Sequence, residues 1–446
     1  MGAKNSQSEY QRYAYHEFED NYIEHKYRNI QLKQTGDEFS REKALIRFNA
    51  PAAEEFFRDK RGIYDNRANR SFMLRVYSPR KPTSTIAIIF NGLDETIFKA
   101  NADAASIYAE KPFEFYDDLG QSLSESGILS ILLPTPYHLN RVMTHRSREL
   151  QKAKQKELRA KRKAFIDMTV PTNALMLQNH NIYRNHFQGF RETVALVRFL
   201  TKRSSIFEKL QHYGDPIGLD GGVFLDEMIG NHKNLHISLV GYSLGGLRAI
   251  TEFLRDRYQA SQEKREPVFS SCVAISAGGG LHSLPHPPWV SPESWTRMIK
   301  DLLTRRFEET IPKLVQGFDE ATSGEARRHY AFLDDVFLGQ GNSVNLLPGA
   351  ARSMLFVLGG GDTLVPLRSL RRFAPPGGLN LFQVAGMGHI LAYDREWQRF
   401  GGAVFKVVAE FIGSWDKLDI SSSQLARTAA LLDHAFDILP FNTKFE

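Results

Sequence analysis

The stretch Leu235-His236-Ile237-Ser238-Leu239-Val240 runs straight into Gly241-Tyr242-Ser243-Leu244-Gly245-Gly246, and a helical pattern continues from Leu244 to Tyr258. The first six residues read as a short strand buried on both faces. A strand that turns at once into a helix holds the residue at the corner in a strained backbone and projects its side chain above the sheet. Glycines two before and two after the serine suit a corner too tight for Cβ atoms. Ser243 also opens a helix, where backbone N–H groups and the dipole favour negative charge. The Gly-x-Ser-x-Gly pattern is not rare in itself; its place between strand and helix gives it meaning.

Further runs of the same kind flank this one: Phe72–Tyr77, Thr85–Phe90, Ile128–Leu133, Cys272–Ala277, Met354–Leu358 and Leu379–Val384. Helical patterns at Pro112–Ser126, Arg191–Lys202 and Ala403–Lys417 alternate with them. Alternation of this sort predicts an α/β fold, a mostly parallel sheet with helices on both faces. Residues 1–65 are charged and Tyr-rich without clear strand alternation, and read as a mostly helical arm. Residues 66–446 form the main domain. Two intervals are too long for simple connections: a basic helical excursion at 138–185, and 278–350, rich in Pro and Trp, which reads as an inserted helical cap. Apolar residues at helical spacing predict a C-terminal amphipathic helix at 423–439.

With the Ser243 turn as its signature, residues 70–415, outside the two insertions, resemble the α/β-hydrolase superfamily. The resemblance implies a catalytic triad in the chain order Ser, then Asp or Glu, then His. Past the run Met354–Leu358 comes Gly359-Gly360-Gly361-Asp362-Thr363-Leu364-Val365-Pro366, similar to the family's acid loop. Past Leu379–Val384 comes Gly386-Met387-Gly388-His389, similar to its histidine loop. The roles that follow are Ser243 as nucleophile, His389 as general base then acid, and Asp362 to fix the imidazole tautomer. Other candidates fit less well. Cys272–Ala277 exits into glycines, Asp394 lies close behind His389, and His282, His286 and His329 fall in the cap.

The resemblance also implies an oxyanion hole, made of the Leu244 N–H and one from Asn91-Gly92-Leu93-Asp94 after Thr85–Phe90, with Leu93 the second donor. Asn91 stands where the family often has histidine; Asp94 and Glu95 read as solvated charges before any substrate role. Pro136-Tyr137-His138-Leu139-Asn140-Arg141 is similar to a Pro-Tyr-His-x-x-Arg turn of some bacterial members. His138 and Arg141 are read either as pocket-lining residues or as turn residues held by structural hydrogen bonds. Tyr242 is a further candidate substrate contact. The implied activity is cleavage of an ester, thioester or amide through an acyl-enzyme, esterase- or lipase-like first, with acyltransferase or peptidase as alternatives. No metal or organic cofactor is implied.

The chain carries 57 Lys and Arg against 51 Asp and Glu, a net charge of +6 over 446 residues. Segment 141–163 alone holds ten basic and two acidic residues, which leaves −2 for the remainder. The segment reads as a solvated charged helix, then as a surface for weak association with anionic lipid. Nucleic acid is disfavoured, because the segment has no aromatic residue before Phe165 and the chain has no recognisable nucleic-acid module. A non-catalytic binding protein built on this segment is the rival to an enzyme acting on a small acyl substrate.

Composition, 42% hydrophobic and 24% charged, excludes a disordered chain or a disulfide-stapled miniprotein. The single cysteine excludes an internal disulfide and a cysteine-cluster metal site. Met1-Gly2-Ala3-Lys4-Asn5-Ser6 matches a myristoylation pattern, but a plain soluble start reads better. With no secretory h-region and no membrane-length apolar run, the expected location is cytoplasmic. Oligomeric state is not legible.

Overall fold

The computed structural model describes residues 43–51, 71–92, 114–136, 141, 179–208, 210, 215–278, 315, 318–338, 350–360, 362, 365, 370, 380–384, 395–414 and 438–439. Outside them lie nearly all of the arm, residues 142–178 of the excursion, most of the cap, residues 423–437, and Leu93, His138 and His389.

Nine strands form one sheet: β1 (Lys43–Asn49), β2 (Ser71–Tyr77), β3 (Thr85–Phe90), β4 (Leu129–Leu132), β5 (His236–Tyr242), β6 (Phe269–Ile275), β7 (Met354–Gly359), β8 (Asn380–Val384) and β9 (Ile438–Leu439). Their order is β1-β2-β4-β3-β5-β6-β7-β8-β9. From β4 to β8 all neighbours are parallel. β1, β2 and β9 join antiparallel at the edges. The seven strand runs of the sequence are all present, each displaced by at most a few residues.

Two strands differ from expectation. Lys43–Asn49, assigned to the helical arm, is the edge strand β1. Ala44, Ile46 and Phe48 face the core on alternate positions, and outward-facing Leu45 blurs that alternation in the sequence. The tail expected to be helical through Leu439 ends instead as β9, paired with β8 at Val384–Ile438 and Gln383–Leu439.

The described helices are α1 (Glu114–Glu125), α2 (Asn179–Thr201), α3 (Leu219–Met228), α4 (Leu244–Glu263), α5 (Glu320–Leu338) and α6 (Arg395–Ser414). Strand alternation divides the core between two faces. One face, with Ile88, Phe90, Leu239, Cys272, Ala274 and Phe356, is covered by α2, α4 and α5. The other, with Ala87, Ile89, Val240, Val273 and Val357, is covered by α1 and α6. α2 starts well before its expected beginning at Arg191, through a stretch rich in Asn and His that buries Tyr183, Phe187 and Phe190. α3 was not foreseen. It contains Gly221 and Gly222, poor helix formers, yet a Cβ on Gly221 would lie 2.4 Å from Ile46 Cγ2. Among the described residues no helix is long and apolar enough to cross a membrane.

Candidate active site

The site residues lie where the parallel strands end, and strand order decides which ends are neighbours. β5 sits between β3 and β6, with Gly241 beside Phe90 and Tyr242 beside Ile275. β7 follows β6, and β8 follows β7, with Gly359 opposite Val384. The carboxyl ends of β3, β5, β7 and β8 therefore share one edge of the sheet, where open α/β sheets bind ligands.

Ser243 occupies the corner between β5 and α4 with φ 50° and ψ −113°. That is outside the regions a side chain ordinarily tolerates, at about 1–3 kcal/mol of strain. The surrounding hydrogen bonds hold it there. Its N–H donates to the Ile275 carbonyl at 2.8 Å, and its carbonyl accepts from Leu247 N–H at 3.1 Å. The glycines are required by contact. A Cβ on Gly241 would lie 2.1 Å from the Gly245 carbonyl oxygen, and one on Gly245 would lie 2.4 Å from that of Phe90. One on Gly246 would lie 2.3 Å from Ala277 Cβ. Leu244 is the first residue of α4, so its N–H is among those left without a helical partner.

Asp362 is buried just past β7. Its N–H donates to the Gly359 carbonyl at 3.1 Å, and its Oδ1 accepts from Val365 N–H at 2.8 Å, so the loop turns around its own carboxylate.

At the exit of β3, Asn91 is fully buried. Its Oδ1 accepts from Thr135 N–H at 2.6 Å and its Nδ2 donates to the Gly92 carbonyl at 2.7 Å. Gly92 N–H donates to the Tyr116 hydroxyl at 2.9 Å. Tyr242 packs its ring on Phe115, centroids 5.2 Å apart, and presses Cδ1 to 2.8 Å from where a Gly92 Cβ would stand. Asn91 and Gly92 are thus gripped by Thr135 just past β4, by Tyr116 of α1 and by Tyr242 of β5. The sequence offered Asn91 only as a departure from the family's histidine, and gave no sign of Tyr116 or Thr135.

Arg141 makes the structural hydrogen bonds that one of its two readings allowed. It is 0% exposed, and its guanidinium binds both Glu192 oxygens at 2.7 Å and the Pro134 carbonyl at 2.8 Å. It also lies 3.9 Å from the centre of the Phe72 ring. Its charge therefore belongs to no surface of the basic segment. His329, dismissed with the cap, is a fully buried residue of α5. Cys272 is buried in β6, where loss of hydration pushes its thiol well up and leaves it unreactive. Among the described residues no group of three or more His, Cys, Asp and Glu could hold a metal ion.

A parallel sheet with antiparallel edge strands, helices on both faces and this strand order is the α/β-hydrolase fold. Neither a protein-family model nor a curated protein matches the chain. Solved structures similar to it include Est1E from Butyrivibrio proteoclasticus, 12% identical over 78% of this chain and 96% of that one, TM-score 0.33. A lipase in its open form is 11% identical, with 84% and 99% of the two chains covered and TM-score 0.40. Carboxyl esterase 2 from the fungus Tuber melanosporum is 12% identical, with 85% and 88% covered and TM-score 0.39. Likeness at this level assigns no activity to this chain, which rests on its own residues.

Proposed function

We propose that the protein is a serine hydrolase that cleaves an ester, thioester or amide through an acyl-enzyme, with carboxylesterase- or lipase-like action on a small acyl substrate first. The observation that carries this reading is Ser243, a non-glycine residue at φ 50° between β5 and α4. A fold that keeps such a backbone spends stability on placing one side chain, and strain of this kind gathers at functional sites.

In this reading Ser243 Oγ attacks the acyl carbon while His389, which follows β8 in the chain, takes its proton. The new oxyanion accepts from the N–H groups of Leu244 and Leu93. Collapse breaks the bond to the leaving alcohol, thiol or amine, which takes the proton from His389. Water then enters by the same route, releases the acid and restores Ser243. Asp362, at the end of β7 next to the strand that leads to His389, orients the imidazole and stabilises its charged form.

A fluorophosphonate probe tests the reading. Wild type is expected to label at Ser243, and Ser243→Ala to abolish both labelling and hydrolysis, a loss of about 10⁴-fold or more in kcat. His389→Ala and Asp362→Asn should follow, the latter at roughly 10⁴-fold. An unlabelled wild type, or hydrolysis unchanged in Ser243→Ala, overturns it. Product analysis with water against an alcohol or thiol acceptor separates hydrolase from transferase.

A further inference from the structure

The carboxyl end of β6 carries a second strained serine. Among the described residues five non-glycine residues have positive φ. Lys202 and Lys264 directly follow α2 and α4, Phe207 lies in a turn, and the other two are Ser243 at 50° and Ser276 at 47°. A left-handed backbone is costly for any residue with a Cβ. Ser276 also buries its hydroxyl: the residue is 0% exposed, and Oγ has no hydrogen-bond partner among the described residues. A buried hydroxyl left unsatisfied is a further cost and calls for a reason.

The β-ladder fixes where Ser276 stands. The peptide unit between Ile275 and Ser276 joins three strand ends. Its carbonyl accepts from Ser243 N–H at 2.8 Å, and its N–H donates to the Val357 carbonyl of β7 at 2.7 Å. Alternate carbonyls of a strand point the same way, so those of Val357 and Gly359 both face β6, about 6.6 Å apart. Had β6 run on, Gly278 N–H would have met the Gly359 carbonyl. Ser276 turns the chain away toward α4, where a Cβ on Gly246 would lie 2.3 Å from Ala277 Cβ. Asp362 N–H takes the Gly359 carbonyl instead, at 3.1 Å. Ser276 and Asp362 thus hang from successive β6-facing carbonyls of one strand.

We propose that Ser276 is a positioning residue for Asp362: its left-handed turn opens the ladder step that Asp362 fills, and its hydroxyl donates to the Asp362 carboxylate as the base takes up the serine proton. This rests on the serine-hydrolase reading and adds to it a residue that acts on the acid rather than on the substrate. A carboxylate accepts up to about four hydrogen bonds, of which Val365 N–H supplies one. Hydrogen bonds of a reacting site often close only in the complex. A hydroxyl held by nothing else needs to turn about one bond to make this one.

The test is the maximal rate at which a fluorophosphonate labels Ser243 in wild type, Ser276→Ala, Asp362→Ala and the double variant. The reagent forms a P–O bond to Ser243 Oγ, expels fluoride and passes the serine proton to the base. Ser276→Ala removes the hydroxyl and keeps the Cβ. Its maximal rate should fall on the order of tenfold, as for a lost hydrogen bond to a charged group. Half-saturation should stay within about threefold of wild type, since only the transition state uses the bond. Its Tm should be unchanged or higher, because an unsatisfied buried group is gone. In the Asp362→Ala background the same change should slow labelling less than about twofold, since residues that act as a unit are not additive.

A purely structural role would instead lower Tm and leave the rate untouched. That result, or any Ser276→Ala rate equal to wild type, overturns the proposal while Ser243 still labels. An equal fall in both backgrounds overturns it too, since Ser276 would then act other than through Asp362. If Ser276→Ala does not fold, Ser276→Gly, whose backbone suits φ 47°, decides by the same comparison. An unlabelled wild type overturns the hydrolase reading and this proposal together.

Discussion

The two faces of the sheet are built from different materials. Under α1 and α6 the core is mainly hydrocarbon and aromatic: Leu119, Leu123, Val273, Val357, Val404, Val408 and Phe411, with Phe115 against Phe405 at 5.6 Å, and its ions are gathered at one edge, where Asp117 of α1 binds Arg75 at 2.7 Å and Lys43 at 2.8 Å. Under α2, α4 and α5 the same apolar floor carries a layer of buried ions. Arg141 pairs with Glu192, Arg248 with Glu252 at 2.8 Å, Arg255 with Glu325, and Asp256 with Arg265 at 2.9 Å. Aromatic rings sandwich the cations, Arg248 over Phe90 at 4.0 Å and Arg255 over Phe190 at 3.9 Å. Arg248 also donates to the Gly189 carbonyl at 2.5 Å, where a Cβ on Gly189 would lie 2.7 Å from its Cζ. Buried charge is expensive unless paired and fully hydrogen-bonded. Hydrocarbon packing tolerates small changes of shape, whereas an ionic layer tolerates no loss of a partner.

Removing one partner should have the largest effect. Glu192→Ala leaves Arg141 charged in a site without water and is expected to cost about 3–5 kcal/mol in denaturant unfolding. The double change Arg141→Met with Glu192→Leu should recover most of that, because apolar replacement of a buried pair is often neutral or stabilising. If single and double variants are equally unstable, charge is not what distinguishes this face.

Changes that hardly alter volume sharpen the contrast. Glu192→Gln keeps the shape and loses the charge, and should still cost about 1.5–3 kcal/mol, as for a hydrogen bond to a charged group. Leu119→Met on the apolar face should cost under about 1.5 kcal/mol. Equal losses would remove the contrast.

The ionic face should also respond to pH. Burial and the nearby Arg248 push His186 down to about 3. Burial, then Arg255, His186 and Arg248, hold His329 well below its ordinary value. Arg255 donates to His329 Nδ1 at 2.9 Å, so that nitrogen accepts and the ring is neutral. A folded-state value below the unfolded one means that the unfolded chain binds more protons as pH falls. This contribution to stability is complete above about pH 6.5 and shrinks by up to ~1.4 kcal/mol per pH unit per histidine below it. Glu252, Asp256 and Asp334, raised by burial, run the other way; Asp334 rises to about 6. The measurement is therefore a difference: His329→Gln should flatten the fall of Tm between pH 7 and 5 relative to wild type. Parallel profiles would show that His329 does not titrate on unfolding.

At the corner shared by both faces the expected effect is smaller and of opposite sign. Ser243→Gly should stabilise the fold by about 1 kcal/mol, since glycine adopts φ 50° without strain, while labelling by fluorophosphonate is lost. A destabilised Ser243→Gly would mean that the serine side chain contributes more to stability than its backbone costs.

Much of this was legible because the signals are local. Strands buried on both faces show as short unbroken apolar runs, and the Ser243 corner shows because its glycines lie within two residues of it. Asp362 stood out as a candidate by its place after a strand, and it is buried there. What could not be read was decided by partners far away in the chain. On α4, Arg248, Glu252, Arg255 and Asp256 recur at i, i+4, i+7 and i+8, the spacing of a solvated stripe. All four are buried, because α2 and α5 cover that side. Arg141, part of the most basic segment in the chain, is neutralised by Glu192 fifty-one positions on. β1 and β9 are strands because β2 and β8 offer open edges, not because of any strong pattern of their own.

The sequence by itself determined the alternation of elements, the strained serine corner and the candidate acid, since each follows from steric and hydrophobic rules acting within a few residues. The tertiary structure alone decided which strand ends meet, that one face of the sheet is ionic, and that Asn91, Thr135 and Tyr116 grip Gly92. Those facts depend on long-range pairing and on which polar groups are shut away from water, and no local pattern encodes either.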